Sequence, residues 1–184
     1  PQNDWFQNVS AAERTADILF GMRDFQWDDA MSVEADRILG DKTDPKMELA
    51  RVKKLSELLD RPDLAARWVR VFDQTHNSRA FNVLTPEGGA AGLRTTASGN
   101  PAAMAWKAYD NIAAAISIYL DGRAENVFHQ LGREHKVRNF YNNIFDPKSE
   151  MGFATIDTHA VAAALLRPLA GADLEVTQNF GGAG

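Results

Sequence analysis

Two stretches of this chain carry side chains whose types and spacing suit chemistry. The first is Leu131-Gly132-Arg133-Glu134-His135-Lys136-Val137, a turn with a lysine at the start of the helix that follows. Lys136 sits at the helix end that favours anions. It is therefore either a solvated side chain or an amine of lowered pKa, suited to act as a Schiff-base nucleophile. The second is Thr155-Ile156-Asp157-Thr158-His159-Ala160-Val161, an aspartate ahead of a helix. On the plain reading Asp157 is an N-cap worth about 1 kcal/mol. On the functional one it is a carboxylate at a cleft, stabilising an oxocarbenium-like sugar or activating water or an amine. The two roles are compatible. His159 makes an Asp-x-His pair with it, a weak metal signal in a chain with 4 His. Arg133 and His135 suit phosphate contact as well as a solvated turn. From Arg123 to Lys148, which includes Arg138, Asn139, Tyr141, Asn142 and Asn143, five Lys/Arg face three Asp/Glu. This is the most polyanion-friendly part of the chain, by a small margin.

Composition narrows the classes. Of the 184 residues, 45% are hydrophobic and 24% charged, ordinary for a globular protein. No apolar run reaches the roughly 20 residues of a membrane helix. With Cys at 0, disulfides, a thiol nucleophile, iron–sulfur clusters and cysteine zinc sites are excluded. No cofactor is expected. No secretory signal opens the sequence, so a cytoplasmic location is expected. The net charge of −5 opposes indiscriminate nucleic-acid binding. Residues 1–60 hold 8 basic and 13 acidic side chains, whereas 61–184 hold 12 of each, so a polyanion site belongs to the second part. No Walker loop, His-Glu-x-x-His or Gly-x-Ser-x-Gly motif is present.

Helices must position these residues. Apolar spacing predicts helices over Asp4–Met22, Ser32–Leu39 with Ser32 as N-cap, and from Asp44-Pro45 to Asp60. A fourth runs from Arg61-Pro62-Asp63 through Phe72. Gln74–Pro101, rich in Gly, reads as a long connection with a short hairpin around Phe81–Leu84 and Leu93–Thr95. Further helices are predicted over Ala102–Leu120, Ala124–Leu131, His135–Phe145, and from Asp157 or Thr158 to Leu166. Trp5, Phe6, Trp27, Trp68 and Trp106 are expected in the core rather than as base-stacking platforms. The class is all-α, a single helical domain over 1–184.

The order of these segments resembles the helix-hairpin-helix DNA glycosylase superfamily, of the endonuclease III type. That family carries Leu-Ser-x-Gln on an early helix, a Leu-Pro-Gly-Val-Gly-x-Lys hairpin, and Val-Asp-Thr-His with its catalytic Asp. Here Ile156-Asp157-Thr158-His159 differs from the last only conservatively, and Asn139-Phe140-Tyr141-Asn142-Asn143-Ile144 occupies the helix after the hairpin. The sequence also looks like uncharacterised phage and mobile-element proteins. The resemblance covers the C-terminal part, 102–170, and the first few residues. The turn lacks the family's Pro and second Gly. Arg133 and Glu134 let backbone amides approach a phosphate less easily than glycine.

The resemblance implies a glycosylase-like helical bundle, without an iron–sulfur cluster, that flips a damaged or modified base from double-stranded DNA and excises it. It implies Asp157 as the essential carboxylate. Lys136 is then a lyase nucleophile attacking the sugar C1′, or a phosphate contact. Gln2 and Asn8 would line the space left by the base, with Gly132, Arg133, His135, Arg138 and His159 completing the DNA-binding set. Gln2 matches the Gln of the family's Leu-Ser-x-Gln, with the given sequence beginning inside that motif. Two other readings remain: a non-catalytic DNA- or protein-binding module on the same scaffold, and a nucleobase-modifying enzyme of a mobile element.

Overall fold

The computed structural model describes residues 5–41, 43–106, 108–132, 135–152, 154–170 and 173–175, with backbone alone for His135, Lys136 and Thr158. Its elements are mostly helical: α1 Trp5–Gly21, α2 Asp29–Leu39, α3 Pro45–Arg51, a 3-10 turn Leu55–Glu57, and α4 Pro62–His76. A small hairpin of β1 Asn82–Leu84 and β2 Ala90–Leu93 leads to α5 Tyr109–Leu120, α6 Ala124–Gln130, α7 His135–Phe145 and α8 Thr158–Ala164. No helix among the described residues is long and apolar enough to cross a membrane. Backbone contacts group the chain into two compact units, Pro1–Gly122 and Arg123–Gly184.

In the first unit α4 is the central helix. Leu64, Ala65, Ala66, Trp68, Val69, Val71 and Phe72 are all buried on it, as expected of a helix covered on several sides. It packs against α1, α2, α3 and α5. Trp68 and Phe72 stack with ring centroids 5.2 Å apart, and Phe25 meets Phe72 edge-on at 5.0 Å. Ile18, Leu19, Met31, Met47, Leu55, Ile112 and Ile116 complete the core.

Asp73 closes the apolar run of α4, and it too is buried. Its carboxylate accepts from Arg14 Nη1 at 3.1 Å, Asn77 Nδ2 at 2.9 Å and Trp106 Nε1 at 2.7 Å. The same guanidinium donates to the Ser78 and Ala80 carbonyls, both at 2.7 Å. One buried charge pair thus ties α1, α4, the entry to the hairpin and the segment ahead of α5.

The structure differs from the sequence expectation at several places, among them the second hairpin strand, which is Ala90–Leu93 rather than Leu93–Thr95. Helix α2 starts three residues before Ser32, because the Asp28 side chain accepts from Met31 N and caps it. Ser32 instead accepts from Trp27 Nε1. The predicted third helix stops at Arg51, and the 3-10 turn takes up Leu55–Glu57. The helix from Ala102 starts only at Tyr109. Residues 102–104 run along the hairpin instead, with Ala102 N bonded to Arg94 O, Met104 N to Arg79 O, and Ala103 bridged to Ala80. Trp5 is 61% exposed, since it stands at the start of α1, ahead of its first buried residue, Ser10. Trp68 is buried, and Trp27 and Trp106 pack against the core.

Candidate functional site

The residues singled out for chemistry lie almost all in the second unit, in the succession α6, turn, α7, connecting strap and α8. Helix α6 ends at Gln130 with Leu131 as its C-cap, and Gly132 follows with φ +72°. That left-handed conformation is strained for any residue with a Cβ, so the glycine is what lets the chain turn here. Arg138 reaches back from α7 to this turn. Its Nη2 donates to the carbonyls of Phe128, at 3.1 Å, and Gly132, and its guanidinium lies 5.8 Å from the centre of the Phe128 ring. The side chain nominated for a phosphate thus satisfies the open carbonyls at the end of α6. Arg138→Ala is therefore expected to lower thermal stability by about 1–2 kcal/mol, as for loss of a charged hydrogen bond. Arg138→Lys should recover little of it, because an ammonium does not reproduce the guanidinium fork. A melting curve of each variant checks this.

Aromatic contacts join the two helices. Tyr141 meets Phe128 edge-on at 6.3 Å and stacks on Phe145 at 5.7 Å. Two asparagines of α7 then hold the strap: Asn139 Nδ2 donates to Ala154 O at 2.8 Å, and Asn143 Nδ2 to Thr155 Oγ1 at 3.2 Å. Two residues further on, Asp157 has extended backbone (φ −129°, ψ −178°), and its side chain accepts from Ala160 N at 3.0 Å. It is the N-cap of α8, as its position before a helical run suggested. The half-buried carboxylate sits at the positive end of that helix.

Of the other nominated residues, His135 and Lys136 open α7 with their backbone, while their side chains lie outside the described residues, as do Gln2 and Arg133. His159 is exposed on α8. Asn8 is exposed on α1, in the first unit. No group of three His, Asp or Glu that could hold a metal occurs among the described residues. Comparison with protein-family models, with curated proteins and with solved structures finds no match to this chain.

Sequence reasoning missed two features. Asn139 and Asn143 were read only as part of a polyanion-friendly stretch, although their i, i+4 spacing already puts both amides on one helix face. The Asp73–Arg14 pair was not singled out at all, although an aspartate ending the run Val69–Phe72 is a signal for a buried, paired carboxylate. Beside it Arg14, Asp17, Ile18, Met22, Phe72, Asn77 and Ser78 line a cleft of about 330 Å³ that none of the nominated residues lines.

Proposed function

We propose that this chain is a DNA glycosylase of the helix-hairpin-helix kind, flipping a damaged or modified base out of the duplex and excising it. One observation carries the reading. A helix, a turn on a left-handed glycine and a second helix are followed by an aspartate capping the next helix, in the order the motifs resemble. Asp157 then supplies negative charge to the cationic sugar that develops as the base leaves. In a bifunctional enzyme the Lys136 amine attacks C1′, the base departs with a proton, and the ring-opened sugar is held as an imine until β-elimination and hydrolysis release it.

The test is incubation with duplexes carrying a panel of lesions and modified bases, with and without borohydride. Base release supports the proposal, and its absence across the panel overturns it. Lys136→Gln is expected to abolish covalent trapping, because only an amine forms the reducible imine. Trapping that persists in this variant assigns the nucleophile to another amine.

A second reading, a DNA-binding module without catalysis, draws support from the turn at Gly132-Arg133-Glu134, which lacks the family hairpin's Pro and second Gly. It predicts salt-dependent duplex binding with no release from any substrate. With two to four phosphate contacts, the log–log slope against salt is about −2 to −4.

A further inference from the structure

We infer that Asn139 and Asn143 are positioning residues, which hold the Asp157 carboxylate in its working place by gripping the strap that leads to it. The catalytic part of this inference rests on the base-excision reading. The grip itself rests on geometry. The strap, 146–156, contains no regular helix or strand among its described residues. Among its described residues the large apolar side chains, Met151 and Ile156, are 75% and 42% exposed, so their burial does little to hold it. In the whole second unit only Val127 is a buried hydrophobic among the described residues. Among the described residues, polar contacts hold the strap to α7. The two to α7 come from amides one helical turn apart, to consecutive residues, Ala154 and Thr155. From Thr155 to Asp157 the chain is two residues long, at most about 7 Å even when fully extended. The carboxylate is thus on a short leash whose anchor is the Asn143–Thr155 bond.

The chemistry makes that anchor matter. A group that stabilises developing charge must be held to within about 0.5 Å of its place, and a misplacement of about 1 Å costs on the order of 10²-fold in rate. The N-cap bond ties Asp157 to the start of α8, a seven-residue helix too short to be rigid by itself. The asparagines tie that start to α7, on which Lys136 stands one turn ahead of Asn139.

The experiment compares the wild-type chain with Asn139→Ala, Asn143→Ala and the double variant. Amide exchange over 157–161, single-turnover base release, duplex affinity and melting temperature are measured on each. In the double variant exchange at the α8 start should speed up about tenfold or more. Base release should slow on the order of 10²-fold, with affinity unchanged and the chain still folded. Asn143→Gln, which keeps an amide donor, should recover part of both. Unchanged exchange at 157–161 overturns the grip. Faster exchange with an unchanged release rate overturns the positioning role. A wild-type chain that releases no base sinks the base-excision reading and the catalytic part with it. The exchange data alone then decide whether the two amides hold Asp157.

Discussion

Asp157→Asn should abolish base release from every duplex the wild-type chain processes, a loss of at least 10²–10³-fold, the order seen when one transition-state electrostatic contact is removed. The fold should survive. Asparagine is as good an N-cap as aspartate, and its Oδ1 can keep the bond from Ala160 N, now 3.0 Å long. What disappears is the negative charge. At the helix N-terminus that charge is worth about 0.3–1 kcal/mol of stability, so the melting temperature should move by only a few degrees. The same charge has far more to do in a glycosylase, where the sugar becomes cationic as the base departs. The proposed activity is what makes the two effects so unequal. Single-turnover release and a melting curve on the same preparation separate them. Unfolding by several kcal/mol would make Asp157 a structural residue. Normal release from the folded variant would move the essential carboxylate elsewhere.

How far the sequence revealed this arrangement depended on whether each signal was local. Asp44-Pro45 and Arg61-Pro62 start helices where they stand, because capping side chains and a proline at the first helical position act within one turn. Gly132 and Asp157 were legible for the same reason: a left-handed glycine ends α6 and a capping carboxylate begins α8. Local signals also compete, and Asp28 displaced Ser32 by offering its carboxylate four residues earlier. The Ala-rich stretch after Pro101 had helical spacing, yet its first residues give their amides to Arg94 and Arg79. Part of that outcome depends on Arg79 and Ala80, more than twenty residues upstream at the hairpin entry, which no local window contains. The candidate site divides in the same way. The capping role of Asp157 was readable in place. The grip of Asn139 and Asn143 on Ala154 and Thr155 needs the strap to fold back along α7. Arg138 shows how context adds to a local reading, since a basic residue beside a turn reads as a phosphate contact, and the fold also sets the carbonyls of Phe128 and Gly132 against it.

The largest loss of stability should follow Asp73→Ala. The carboxylate is 1% exposed and accepts from three side chains on three separate segments. Truncation leaves the Arg14 guanidinium, itself only 18% exposed, without its counter-charge, and it orphans the indole N–H of Trp106. Breaking a buried pair by removing one partner costs about 3–5 kcal/mol, far more than the loss of an exposed surface pair such as Lys53–Glu57. A drop of that size shifts the melting temperature on the order of 10 °C or more. Asp73→Asn should be nearly as harmful. Its amide nitrogen takes the place of one carboxylate oxygen, so it sets a donor against either the Trp106 indole or the Arg14 and Asn77 donors, and the Arg14 charge is left uncompensated. Replacing both partners, Arg14→Met with Asp73→Leu, should recover part of the loss, because an apolar pair leaves no buried charge behind. It should not recover all of it, because Arg14 also holds the Ser78 and Ala80 carbonyls at the hairpin entry. Chemical denaturation of the wild-type chain, Arg14→Met, Asp73→Leu and the double variant gives the coupling directly as a double-mutant cycle. A coupling below about 1 kcal/mol would reduce Asp73–Arg14 to the weight of a surface pair. A coupling of several kcal/mol would make it the contact on which α1, α4 and the segment before α5 depend for their mutual placement.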